Sequence, residues 1–238
     1  MIRVTLLMLL MLLMLLAGCG TAPPASLYER ALLRRGGLER LRRTAGFVRS
    51  STGTLRGLAY SRRTSYRYPN QLRVHTEFEG TGTVLEWVFD GRHGYQQIGD
   101  RKLQLGPEQA RIIRNQCLDE SVFWLLVLTD PNLTVAELDS AEFQGRPARA
   151  MRVEHWSGYS RELFFDQDSS ELLGSQGLTW TQEGRVMTTT VYSDYQYQGG
   201  LRLPMSQETL VDGQPHARET HHSIRLSGIP EAEEFQFR

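Results

Sequence analysis

Cysteine is scarce in this chain of 238 residues: Cys19 and Cys117 are the only two, too few for a disulfide scaffold. Lysine is nearly missing, with Lys102 alone among 27 basic residues. Charge of one sign is not in surplus either. The 27 basic residues meet 27 acidic ones, which argues against a nucleic-acid partner. No Gly-rich phosphate loop occurs, and Gly158-Tyr159-Ser160-Arg161-Glu162 lacks the closing glycine of a nucleophile elbow. The six histidines do not assemble a metal motif: His221 and His222 are adjacent, so on a strand they point to opposite faces. Asp166, Asp168 and Glu171 lack the spacing of a calcium loop and read as a solvated turn. These gaps predict a protein that is not an enzyme and needs no metal or cofactor.

Long apolar runs are limited to residues 4–16, almost all Leu and Met, preceded by Arg3. That run is too short to span a bilayer and has the form of an export signal. It ends Leu16-Ala17-Gly18-Cys19, which resembles the bacterial lipobox. Residues 1–18 are therefore expected to be a removed signal peptide. Cys19 is the expected site of lipidation, palmitate included, and residues 19–26 form a tether carrying Pro23-Pro24. Several acyl chains on one residue give lasting membrane attachment. In a two-membrane cell, Gly20 in place of an aspartate implies the periplasmic face of the outer membrane. With Cys19 committed to lipid, Cys117 has no partner and reads as a small buried hydrophobe.

Residues 27–238 are expected to form one domain. Residues 27–43 carry a helical pattern broken at Gly36-Gly37. Seven arginines between Ser26 and Ser50 (30, 34, 35, 40, 42, 43 and 49) face either acidic headgroups or solvent. From Thr52 the period becomes two. Leu72, Val74, Thr76 and Phe78 alternate with polar residues, then Thr83, Leu85, Trp87 and Phe89, with Gly80 and Gly82 turning the chain between them. Short strands follow at 95–98 and around Leu103. Pro107 opens a helix reaching about Asn115, and a second helix is expected over 119–128, carrying the run 122–128 that is apolar nearly all round. Strands are then predicted at 135–143, 148–155, 161–165, 172–178, 186–195, 201–211 and 216–226, with a last short strand toward Phe237. The sum is mainly β (α+β): roughly ten or more antiparallel strands, as a sandwich or incomplete barrel.

The order of these features resembles the LolA/LolB-like superfamily of periplasmic lipoprotein carriers and receptors. The resemblance runs from about Leu27 to Phe237. It rests on Gly36-Gly37 closing the first helix, Tyr68-Pro69-Asn70-Gln71-Leu72-Arg73 opening a strand, and Phe89-Asp90-Gly91 ending the next apolar strand. A helical insert, Gly145-Arg146-Pro147, Phe165-Asp166, Tyr192-Ser193-Asp194-Tyr195, Gly199-Gly200-Leu201-Arg202-Leu203-Pro204, and Ile229-Pro230 with Phe235 complete it. It implies an unclosed, strongly curved antiparallel half-barrel whose hollow, covered by an N-terminal helix and a helical plug, accepts acyl chains.

Such a ligand needs only apolar wall, at about 0.8 kcal/mol per buried methylene. The alternating apolar residues supply candidates: Leu72, Val74, Phe78, Leu85, Trp87, Phe89, Met151, Val153, Leu163 and Phe165, with Phe123, Trp124 and Leu126 from the helix side. Alternation marks a buried face without distinguishing a lined cavity from a filled core. The expected partners are the membrane through Cys19 and acyl chains of lipoproteins or other amphiphiles, for a monomer acting in lipoprotein transport or localisation. The alternative is a binding or sensing module for another envelope protein, with no lipid guest.

Overall fold

The computed structural model describes residues 25–44, 46–181, 184–226 and 230–236. The signal segment, Cys19 and most of the tether lie outside the described residues.

Helix α1 (Leu27–Arg35) starts at a capping box: Glu29 N–H donates to Ser26 Oγ at 3.2 Å, and Ser26 N–H to the Glu29 carboxylate at 2.8 Å. It ends at Gly36, whose φ of 133° suits glycine. A Cβ there would sit 2.7 Å from the Gly200 carbonyl oxygen, so the helix end rests directly on a sheet turn. Helix α2 (Leu38–Arg43) follows. The strands β1 (Gly46–Leu55), β2 (Leu58–Arg67), β3 (Gln71–Phe78), β4 (Val84–Phe89), β5 (Gly94–Ile98) and β6 (Arg101–Gln104) then form a meander. Helix α3 (Pro107–Trp124) and a 3-10 turn (Leu126–Thr129) lead to a second one. It comprises β7 (Leu133–Phe143), β8 (Arg146–His155), β9 (Tyr159–Asp166), β10 (Leu172–Thr181), β11 (Gly184–Gln198), β12 (Leu201–Val211) and β13 (Gln214–Arg225).

All thirteen strands belong to one antiparallel sheet, in the order β6-β5-β4-β3-β2-β1-β13-β12-β11-β10-β9-β8-β7. Sequential hairpins set every neighbour but one; β1 and β13 join the two meanders, from Val48↔Arg225 to Leu55↔Ala217. Strands β6 and β7 are not paired with each other, so the curved sheet stays open as a half-barrel. The chain passes from one edge to the other through α3, which packs across the concave face on β4, β5, β10 and β12.

The main core lies between this face and the helices. Leu27, Leu41, Phe47, Tyr66, Leu72, Phe89 and Trp124 meet Met151, Leu163 and Phe165 there. A smaller cluster on β7 to β10 stacks Phe143 on Phe164 at 4.7 Å between centroids.

Three sequence expectations are corrected. The two central helices are one, because Ile113 and Cys117 bury the same side across the polar stretch Arg114-Asn115-Gln116. The true break is Leu125, at φ 57°, inside an apolar run that carries no stop residue. The first inward strand begins at Gly46 rather than near Thr52, because Phe47, Arg49 and Ser51 already alternate inward. Finally, the tail forms a 3-10 turn (Ala232–Phe235) rather than a strand. Phe235 is buried, and Arg73 Nη1 donates to the Glu234 carbonyl at 3.0 Å. Ile229 and Phe237 lie outside the described residues.

Candidate functional site

Beneath α3 the concave face is not filled throughout. A hollow of about 650 Å³ opens where the helix leaves the far ends of the strands uncovered. That volume falls among typical ligand pockets. Strand register explains its walls. On one side, rows of inward residues run Thr64–Val74–Trp87 and Arg62–Thr76–Leu85 across β2, β3 and β4. On the other, Ser175–Thr190–Thr209 crosses β10, β11 and β12. Residues Gln116, Asp119, Glu120 and Phe123 of α3 also line it. The hollow is thus greasy on the β3–β4 side and hydroxyl-bearing on the β10–β12 side.

The helix is fastened over this space by two carboxylates. Neighbours on an α-helix point about 100° apart, so Asp119 and Glu120 reach different strands. Glu120 receives a bidentate pair from Arg49 on β1 at 2.8 and 3.0 Å. Asp119 accepts from Arg161 on β9 at 2.9 and 3.1 Å and from the Tyr159 hydroxyl at 2.8 Å. Arg161 also donates to Thr179 Oγ1 at 2.6 Å, tying the clamp to the threonine wall.

A third carboxylate, Glu219 on β13, is buried beside Arg49 and Arg62. It accepts from Arg62 at 3.1 Å, Tyr60 at 3.2 Å, Gln207 at 3.2 Å and from the Ser51 hydroxyl. Burial alone would raise its pKa, but Arg62 and Arg49 pull it down to about 2. His221 sits edge-on to the Phe123 ring at 5.4 Å. Burial, reinforced by Arg49, lowers its pKa to about 3, so it is neutral in the folded protein at pH 7.

These two shifts predict acid lability. His221 and Glu219 both bind protons less readily folded than unfolded, where values near 6.5 and about 4.3 apply. Their stability contributions are complete above those unfolded values. The His221 contribution is lost as pH falls from about 6.5 toward its folded value, the Glu219 contribution from about 4.3 downward. The slope approaches about 1.4 kcal/mol per pH unit for each group. Between pH 7 and 5 the His221 share is roughly 2 kcal/mol, a Tm fall of roughly 4–8 °C. Thermal melts of the wild type and His221→Leu across this range check it. The variant should flatten the profile, and an identical slope would reject the assignment.

Of the residues named from sequence, Leu72, Val74, Leu85, Trp87 and Phe123 line the hollow, Leu72 and Phe123 at its boundary with the buried core to which they also belong. Phe89, Trp124, Leu126, Met151, Val153, Leu163 and Phe165 are packed together in the main core instead. Phe78 is half-buried and meets the Tyr60 ring edge-on at 6.2 Å. Sequence reasoning set Arg35 and Arg49 among arginines facing headgroups or solvent, whereas both are buried, and it missed Arg62, Asp119, Glu120, Arg161 and the threonine wall. A signal existed: Phe47-x-Arg49-x-Ser51 and Tyr60-x-Arg62-x-Thr64-x-Tyr66 put arginine in phase with buried residues. Cys117 is buried with its thiol pKa pushed up, first by burial, as a small hydrophobe requires.

Neither a protein-family model nor a curated protein sequence matches the chain. Solved structures do match its fold. An outer membrane lipoprotein-sorting protein domain from Vibrio parahaemolyticus superposes with a TM-score of 0.53 at 11% identity, over 88% of this chain and 94% of that one. A LolA superfamily protein from Nitrosomonas europaea gives 0.57 at 10% identity, over 90% and 99%. A DUF1329 family protein from Desulfovibrio piger gives 0.55 at 8% identity, over 88% and 95%. The fold is LolA/LolB-like.

Proposed function

We propose that this chain is a lipid-anchored envelope protein that takes up acyl chains, of lipoproteins or another amphiphile, in the hollow beneath α3. It acts as a carrier or receptor, without a catalytic step. Attachment is through Cys19, at the periplasmic face of the outer membrane. The observation that carries the reading is the hollow itself. An open half-barrel leaves about 650 Å³ unfilled, and Leu72, Val74, Leu85 and Trp87 give it an apolar side, with Phe123 lining it from α3. The fold shared with lipoprotein-sorting and LolA superfamily proteins supports the same conclusion.

The test uses protein beginning at Gly20, first shown to unfold cooperatively, and a fluorescent fatty-acyl probe at micromolar concentration. Uptake is expected, with stabilisation by mass action of about 2.7 kcal/mol at a hundredfold excess over Kd. Val74→Asp, which places a carboxylate on the apolar wall, should abolish uptake. A folded protein that neither takes up the probe nor gains stability would overturn the reading.

A further inference from the structure

Two features of the hollow would be idle if its guest were a bare hydrocarbon. The first is the hydroxyl pair Thr190–Thr209, set in register across β11 and β12 beside Ser175, whose own hydroxyl bonds the Tyr192 side chain, and lining the same space as the apolar wall. The second is a pair of buried donors. Arg49 Nε and Thr64 Oγ1 have no hydrogen-bond partner among the described residues, although Arg49 is 2% and Thr64 1% exposed. These two residues are direct cross-strand neighbours in the β1–β2 ladder, and both line the hollow. Buried donors of this kind are costly unless an acceptor reaches them.

The charges around them restrict what that acceptor can be. Arg49 is neutralised by Glu120, Arg62 by Glu219 and Arg161 by Asp119. Asp119 and Glu120 themselves line the hollow. A fixed negative charge brought beneath α3 would meet two carboxylates and three arginines each already paired with one; Arg56, exposed between β1 and β2 at the rim, is the lining arginine without a carboxylate partner among the described residues. An uncharged acceptor meets no such repulsion.

We infer that the guest is facially amphipathic: an acyl ester or amide bearing neighbouring hydroxyl groups, uncharged near its head. Its chain lies on Val74, Leu85 and Trp87. Its carbonyl oxygen accepts from Arg49 Nε and Thr64 Oγ1 once a small side-chain shift opens these covered donors to the hollow, and its hydroxyls meet Thr190 and Thr209. This inference rests on the acyl-binding reading and sharpens it, by assigning the polar wall a part in selection.

The experiment places the full chain in phosphatidylcholine nanodiscs with a photoreactive palmitoyl probe. Competitors added at equal mole fraction are 1-monopalmitoylglycerol and methyl palmitate, which share the chain and the ester but differ in hydroxyls. Monopalmitoylglycerol should suppress cross-linking about tenfold more effectively, as expected where hydroxyl partners are built into a site. In Thr190→Val/Thr209→Val, nearly isosteric and without hydroxyls, the two competitors should converge. Thr209→Ser should keep the preference, and Thr209→Val alone serves if the double variant does not fold. Equal competition in the wild type, or an undiminished preference in the valine variants, overturns the head-group assignment while leaving acyl binding intact. Absence of any cross-link to the hollow residues removes both.

Discussion

Arg49→Met should destabilise the protein by about 3–5 kcal/mol, because it strands a carboxylate in the interior. For a domain of this size that is a fall in Tm of roughly 6–20 °C. Arg49 is 2% exposed and pairs with Glu120, itself 17% exposed, through both terminal nitrogens. Its guanidinium also lies over the Phe123 ring, 4.7 Å from the centroid, so it adds packing to charge. Methionine restores most of the volume but none of the donors, and Glu219 loses one of the two arginines that hold it ionised. A second substitution separates the contributions. In Arg49→Met/Glu120→Leu the stranded charge is gone, and replacing a buried pair by apolar residues is often neutral. Most of the loss should therefore return. Thermal and denaturant unfolding of both variants decide it. A single variant within about 1 kcal/mol of wild type, or a double variant no better than the single, would show that the clamp is not what secures α3.

The half-barrel was legible because its strands obey a simple rule. Where one face of a sheet is buried and the other wet, the sequence alternates, and glycine or aspartate marks each hairpin. Leu72, Val74 and Thr76 followed by Leu85, Trp87 and Phe89 show this, and the structure pairs them as Leu72↔Phe89, Val74↔Trp87 and Thr76↔Leu85. Openness was not legible in the same way. It depends on β6 and β7 failing to meet, a consequence of where α3 carries the chain rather than of any residue in either strand.

The hollow was half legible for a related reason. Alternation says which residues point inward but not what stands opposite them. Phe165 and Leu163 look from sequence just like Leu85 and Trp87, yet the helices cover the former pair, while the latter line the uncovered end. The polar side escaped notice because threonine is a favoured strand residue, so Thr188, Thr190 and Thr209 register first as β-propensity. The arginines escaped because a charged residue in an inward phase reads as an interruption until its partner is known. That partner, Glu120 or Asp119, lies on an element far away in the sequence.

Trp124→Ala is expected to be the most damaging single truncation, at about 3–5 kcal/mol. Trp124 is fully buried at the last position of α3, immediately before the left-handed residue Leu125 that turns the chain into the 3-10 segment. Its ring stacks on Phe47 of β1 at 4.3 Å between centroids and meets Phe123 at 5.6 Å. The indole thus joins the C-terminal end of the helix to the middle of the sheet, where β1 couples the two meanders. Alanine leaves a void bounded on one side by backbone of fixed curvature, which cannot collapse to fill it. Trp124→Phe gives the contrasting result. The indole Nε1 is buried without a partner among the described residues, so phenylalanine loses volume but also removes an unsatisfied donor. A change below about 1.5 kcal/mol is expected for this replacement. Equilibrium unfolding of the two variants measures the difference. If phenylalanine cost as much as alanine, the indole nitrogen would have to be contributing a bond of its own, and ring stacking would not be what fixes the helix over the hollow.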